Sequence, residues 1–67
     1  MRLCNRLKAY RAELGLSQQE LACRAGTSRQ TISLIERGGY SPSVALALML
    51  ARICGARVED IFSFEED

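Results

Sequence analysis

A chain of 67 residues holds one domain, 1–67, and buries only about 60% of its unfolded surface, so its core alone is marginal. It has no histidine and hence no His-containing metal site, and three scattered cysteines (Cys4, Cys23, Cys54) form neither a CxxC pair nor an even disulfide framework. The net charge of +1 hides an asymmetry: residues 1–40 carry seven cations against three carboxylates, +4, whereas residues 41–67 carry two against five, −3.

With metal, cofactor and disulfides set aside, a second subunit is the remaining source of extra burial. The cysteines read as small core hydrophobes in a reducing, cytoplasmic setting. The basic front half implies a polyanionic partner on one side of the molecule. Met1 to Asn5 is polar, unlike a signal peptide, and leads directly into an amphipathic segment.

The first predicted helix takes Asn5 as N-cap and carries Leu7, Tyr10 and Leu14 on one apolar stripe, ending at Gly15. Ser17-Gln18-Gln19-Glu20 is a capping box that opens a short second helix with Leu21, Ala22 and Ala25 inward. Gly26 ends it, and Ser28 caps a third helix from Arg29 to about Arg37 with Ile32 and Ile35 inward. Ser41-Pro42 places a cap and an N1 proline at the start of a fourth helix, which runs to about Cys54 and stops at Gly55. Its apolar run, Val44 to Ala51, is far too short to span a bilayer. A fifth helix covers Val58 to Phe62. Ser63 to Asp67 reads as a tail, with the Phe62-x-Phe64 alternation admitting a brief strand against Leu3 as the other reading.

The informative stretch is Ser17 to Gly38. Two short helices are joined by Gly26-Thr27-Ser28, with small Ala22 at the crossing and Gly26 supplying the positive φ that a three-residue turn requires. Leu21, Ile32 and Ile35 anchor the pair to the rest of the domain. The stretch LGLSQQELACRAGTSRQTISLIERGGYSPS resembles the central pattern of the Cro/C1-type helix-turn-helix regulators, the XRE family. The SRQTIS…IE segment, the Y-x-P-S turn and the V-E-D-I-F ending are similar to a short single-domain subgroup that includes the cytolysin repressor. The resemblance covers roughly residues 5–64. It implies an all-α, five-helix, lambda-repressor-like DNA-binding domain that dimerises on operator DNA, with the helix-turn-helix at 18–37 and dimerisation at about 44–64.

The residues support that expectation. Steps of about 100° bring Arg29, Gln30, Ser33 and Arg37 into one arc opposite Ile32 and Ile35. In a major groove Arg29 can pair with guanine O6/N7 and Gln30 with adenine N6/N7, with Ser33 one turn deeper as a third base contact. Leu34 flanks this face, and a thymine methyl contact and a packing role are both open for it. Helix N-termini suit phosphate, which makes Ser17, Gln18, Ser41 and Ser43 backbone candidates, joined by Thr27 in the turn and by Arg37 and Tyr40 in the following loop. The resemblance adds Thr31 as a phosphate or base contact. It also implies an ion pair between Arg11 and Glu36 that aims Arg11 at a phosphate.

The fourth helix is apolar nearly all round. Val44, Ala47, Leu48, Ala51 and Cys54 form one face, which the domain can cover, and Leu46, Met49, Leu50 and Ile53 the opposite one. Leu46, Met49 and Ile53, with Ile61, Phe62 and Phe64, are therefore the expected homodimer contacts, and a two-fold dimer would match a palindromic operator. Two other function classes compete. An antitoxin or adaptor would use the same fold to hold a protein, but has no need of Arg29 and Gln30. An enzyme lacks its machinery: there are no paired inward carboxylates and no base in sequence near Cys23.

Overall fold

The structure, a computed structural model, describes residues 1–66. Asp67, read above as the end of the acidic tail, lies outside them. The element order is β1 (Arg2–Asn5), α1 (Leu7–Glu13), α2 (Gln18–Ala25), α3 (Arg29–Glu36), α4 (Val44–Cys54), α5 (Val58–Ile61) and β2 (Phe62–Glu65). Five helices enclose one core, and the two chain ends meet in an antiparallel pair. No helix among the described residues is long and apolar enough to cross a membrane.

Six side chains are fully buried: Leu7, Leu21, Ile32, Ile35, Leu50 and Ile61. Leu16, Ala22 and Ala51 complete the core, with Tyr10, Ala25, Leu46, Ile53 and Phe62 packed at its edge. Every helix therefore contributes to the one apolar cluster, and the polar turns remain outside.

The ends of the elements depart from the sequence expectations in instructive ways. Asn5 belongs to β1, and Arg6 is the N-cap of α1. The Asn5 side chain still serves the helix end, because its Oδ1 accepts from the Leu7 N–H at 3.1 Å. Its Nδ2 donates to the Ile35 carbonyl at 2.8 Å, so one amide ties the start of α1 to the last turn of α3. Leu14 is exposed and Leu16 buried in its place. The helix stops at Glu13 and Gly15, at φ 68°, reverses the chain, which swings Leu14 outward and brings Leu16 beneath the helix.

The fourth helix is capped by Ser43 and not by Ser41: the Ser43 hydroxyl accepts from the Leu46 N–H at 3.1 Å, and Pro42 lies in the preceding loop. The fifth helix ends at Ile61, because Phe62 is already extended. Its chain continues into β2, where Leu3 pairs with Phe64 and Asn5 with Phe62, so the strand reading holds and the tail reading does not. In an antiparallel pair, opposite residues share a face. Leu3, Asn5, Phe62 and Phe64 lie on one side of this ribbon and Arg2, Cys4, Ser63 and Glu65 on the other, where Arg2 and Glu65 form an exposed ion pair.

Candidate nucleic-acid interface

Two capped helices and one glycine set the geometry of the site. Ser17 and Glu20 satisfy each other's backbone N–H groups, at 3.0 and 2.9 Å, and open α2. Those bonds also hold the Glu20 carboxyl below its ordinary value. Gly26 closes α2 at φ 73°, ψ 32°, and the Thr27 N–H returns to the Ala22 carbonyl at 2.9 Å. Ser28 then starts α3, accepting from the Thr31 N–H at 3.1 Å. Ala22 is fully buried, as a close approach of the helices requires.

With Ile32 and Ile35 buried, the opposite side of α3 faces out. Arg29, Gln30, Ser33, Leu34 and Arg37 line a single shallow depression of about 440 Å³. The three expected base-contacting residues are thus brought together, along with Arg37, whose Nε donates to the Ser33 carbonyl at 3.4 Å. On the other flank of α3, Thr27, Thr31, Tyr40 and Ser43 line a second groove of about 430 Å³ with Ala45, Leu46 and Met49. Thr31 shares a hydroxyl hydrogen bond with Ser28 at 2.9 Å, which turns it toward the start of its own helix. Ser41 stands apart, in the loop facing Leu3, Asn5 and Phe62 of the ribbon.

Arg11 forms the expected ion pair with Glu36. Its Nε and Nη2 donate to the Glu36 carboxylate at 2.7 and 3.1 Å, and Nη1 donates to the Leu16 carbonyl at 2.9 Å. The side chain is only 14% exposed, and these three bonds use three of the five guanidinium N–H groups, leaving one on each Nη. Gln18 joins the same cluster, its Nε2 donating to Glu36 Oε1 at 3.1 Å. Glu36 is 4% exposed. Burial alone would raise its pKa, but the hydrogen bonds from Arg11 and Gln18, with the charges of Arg11 and Lys8, outweigh that and hold the carboxyl below its ordinary value. The cluster locks the start of α2 and the end of α3 to α1.

The residues assigned to a dimer contact are divided by the structure. Ile61 is fully buried in the core and has no surface to offer a partner. Leu46, Ile53 and Phe62 pack against the core, and Met49 and Phe64 are exposed. The exposed large apolar residues of α4 are Val44 (77%), Leu48 (57%) and Met49 (41%), with Ala45 exposed beside them, whereas Leu50 and Ala51 are buried. Relative to the expected placement the helix is turned about its axis by roughly one residue step, about 100°. A helix apolar on every side cannot announce its inward face by pattern. Cys23 is likewise exposed, against the expectation of a core position, while Cys4 and Cys54 are half-buried.

Asn5 as a strut under α3, and Leu34 as part of the outward face, were missed or left open by sequence reasoning. For Asn5 the only signal is an amide at a helix start, which reads as a cap. Its second bond spans 30 residues and has no local trace.

Residues 7–61 match the model of a helix-turn-helix family. The chain is 51% identical over 63 residues to an HTH-type transcriptional regulator of Methanocaldococcus jannaschii, covering 94% of this chain and 96% of that protein. One from Methanothermobacter thermautotrophicus is 52% identical over 62 residues, covering 91% and 90%. Among solved structures, a restriction-modification controller protein from Aeromonas hydrophila superposes with a TM-score of 0.74 at 31% identity, covering 81% of this chain and 82% of that one. The narrower likeness to the cytolysin repressor has no support in these comparisons. The outward polar face of α3, the glycine turn behind it and these relatives agree: the chain belongs to the Cro/C1-type (XRE) helix-turn-helix family, whose members are transcriptional regulators and not enzymes.

Proposed function

We propose that the protein binds specific double-stranded DNA in the cytoplasm as a homodimeric transcriptional regulator, with α3 and its cap, residues 29–37, in the major groove. The observation that carries this reading is the depression formed by Arg29, Gln30, Ser33 and Arg37 on the side of α3 opposite its buried isoleucines. Arg29 and Gln30 lie in the first turn, the part of a recognition helix that reaches base edges. Arg37, Tyr40, Thr27 and Ser43, with the α2 start at Ser17 and Gln18, would hold the flanking phosphates and set the register. Thr31 contributes through the same groove as Thr27 and Ser43.

The dimer contact follows from the exposed α4 residues. Leu48 and Met49 would form its centre, with Ala45 beside them, edges of Leu46 and Ile53, and Phe62 and Phe64 at the rim. Covering them would supply the burial that a chain this short lacks. Two-fold symmetry would set the recognition helices in successive major grooves about 34 Å apart on a palindromic operator.

Gel-shift and footprinting against the DNA upstream of the chain's own reading frame test the proposal. A protected, symmetric site is expected, and absence of any retarded fragment at low salt would favour an adaptor. Arg29→Ala should weaken binding by roughly 1–3 kcal/mol and relax preference at one base pair. An equal loss on every sequence would show that Arg29 touches phosphate alone.

A further inference from the structure

We infer that the terminal ribbon is a second DNA-contacting element: Arg2 grips a backbone phosphate beside Arg37, and Glu65 competes with that phosphate for the guanidinium. The inference rests on α3 entering the major groove. Residues 2–5 and 62–65 of the ribbon flank the segment 7–61 that matches the family model, so the family's helical unit does not account for them.

The ribbon is fixed against the end of α3. The Asn5 amide donates to the Ile35 carbonyl, and Arg2 stands three residues upstream on the same strand. Arg2 and Gly38 together line two adjoining grooves. One, of about 270 Å³, also holds Arg37, and the other, of about 230 Å³, holds Tyr40 and Ser41. The carboxylate lining them is Glu36, which is 4% exposed and has its oxygens taken by Arg11 and Gln18. Two guanidinium groups and two hydroxyls thus converge on the loop that follows α3, with no free carboxylate among the lining residues. That donor set suits a phosphodiester, and the loop lies where the backbone flanking a recognition helix would run.

In the unbound protein Arg2 is paired with Glu65 across the ribbon, and both side chains are largely exposed, 70% and 60%. An exposed pair contributes little, so trading the carboxylate for a phosphate costs little, while the phosphate contact releases a cation from the DNA. Glu65 therefore tempers the grip of Arg2 without abolishing it.

Binding is read by fluorescence polarisation over a range of salt, on a duplex that the wild-type protein enriches from a randomised library. Arg2→Ala should weaken binding about fivefold near physiological salt, and lower the slope of log affinity against log salt by about one per protomer. The preferred sequence should not change, and Arg2→Lys should restore most of the loss. Glu65→Gln should tighten binding about threefold, and the gain should vanish in the Arg2→Ala background. Glu66→Gln removes a neighbouring charge and should give a smaller gain that does not depend on Arg2. Circular dichroism and thermal melting check folding, and Arg2→Gln, which keeps a donor for Glu65, replaces Arg2→Ala if alanine loosens the ribbon. An unaltered salt slope without the Arg2 charge, or a Glu65→Gln gain that survives in the Arg2→Ala background, overturns the assignment while leaving DNA reading intact. Failure of the wild type to enrich any duplex would instead overturn the proposed function, and this inference with it.

Discussion

Glu36 is the least exposed side chain in the ion pairs of the described residues. It receives two hydrogen bonds from Arg11 and one from Gln18, and almost no water. Removing it leaves a largely buried guanidinium with one carbonyl for a partner. Glu36→Ala should cost about 3 kcal/mol in urea unfolding, more than loss of an exposed pair such as Arg57–Asp60 would. The depressed carboxyl also sets a direction in pH. Its contribution is complete above the ordinary Glu value of about 4.3 and is lost as pH falls below that, through the lower folded-state value. Melting temperature followed from pH 6 to pH 3 should fall less steeply in Glu36→Gln than in the wild type. Glu20 and Asp60, also depressed, keep some acid sensitivity in both. Among the thiols, Cys23 is exposed, while burial pushes Cys54 up from its ordinary value. A disulfide exchange reagent should therefore modify Cys23 first in the native protein, and mass spectrometry of the labelled peptides reads the order.

At the scale of elements, the turn between α2 and α3 depends on Gly26 alone for its hand. No atom lies within 4 Å of where its Cβ would be, so Gly26→Ala tests backbone strain without a clash. A loss of about 1 kcal/mol in thermal or urea unfolding is expected, and Gly26→Asn should lose less. The fourth helix raises a different question, which of its apolar sides is free. Leu48→Glu places a charge at the middle of the exposed arc, should leave the protomer folded, and should halve the mass seen by sedimentation. A mass unchanged at the dimer value would place the proposed contact elsewhere, and a monomeric wild type would remove it. Ile53 is a poorer probe, since it packs against the core and a Glu there would disturb the fold as well.

Over the whole molecule, the outward face of α3 is held from behind. Asn5 braces the end of α3 from the first strand, the Arg11–Glu36–Gln18 cluster locks the same end to α1 and α2, and the terminal ribbon closes the chain upon itself. The cations of the front half then act as a set. Binding should weaken steeply with salt, and Arg37→Ala should lower the slope of log affinity against log salt by about one per half-site contact without changing which sequence is preferred. Polarisation titrations between 50 and 300 mM salt would show it, and an unaltered slope would remove Arg37 from the phosphate contacts.

What could be read from residues alone is what local chemistry dictates. The capping box at Ser17 and Glu20, the left-handed glycines at 26 and 55, and the pairing of outward Arg29 and Gln30 with inward Ile32 and Ile35 are all set within a few residues of chain. Rigid turns and one-sided helices leave few alternatives, and for that reason the helix-turn-helix and the outward face of α3 are legible in the sequence. The rest depends on groups distant in sequence. Asn5 becomes a strut only because Ile35 is folded against it, Arg11 gains a second partner in the Leu16 carbonyl because the chain turns back beneath α1, and Ser43 displaces Ser41 as cap once the loop before α4 is closed. The rotation of α4, and with it the burial of Leu50 and exposure of Leu48, was decided by packing. A side-chain pattern selects a face only where the faces differ, and on this helix both are apolar.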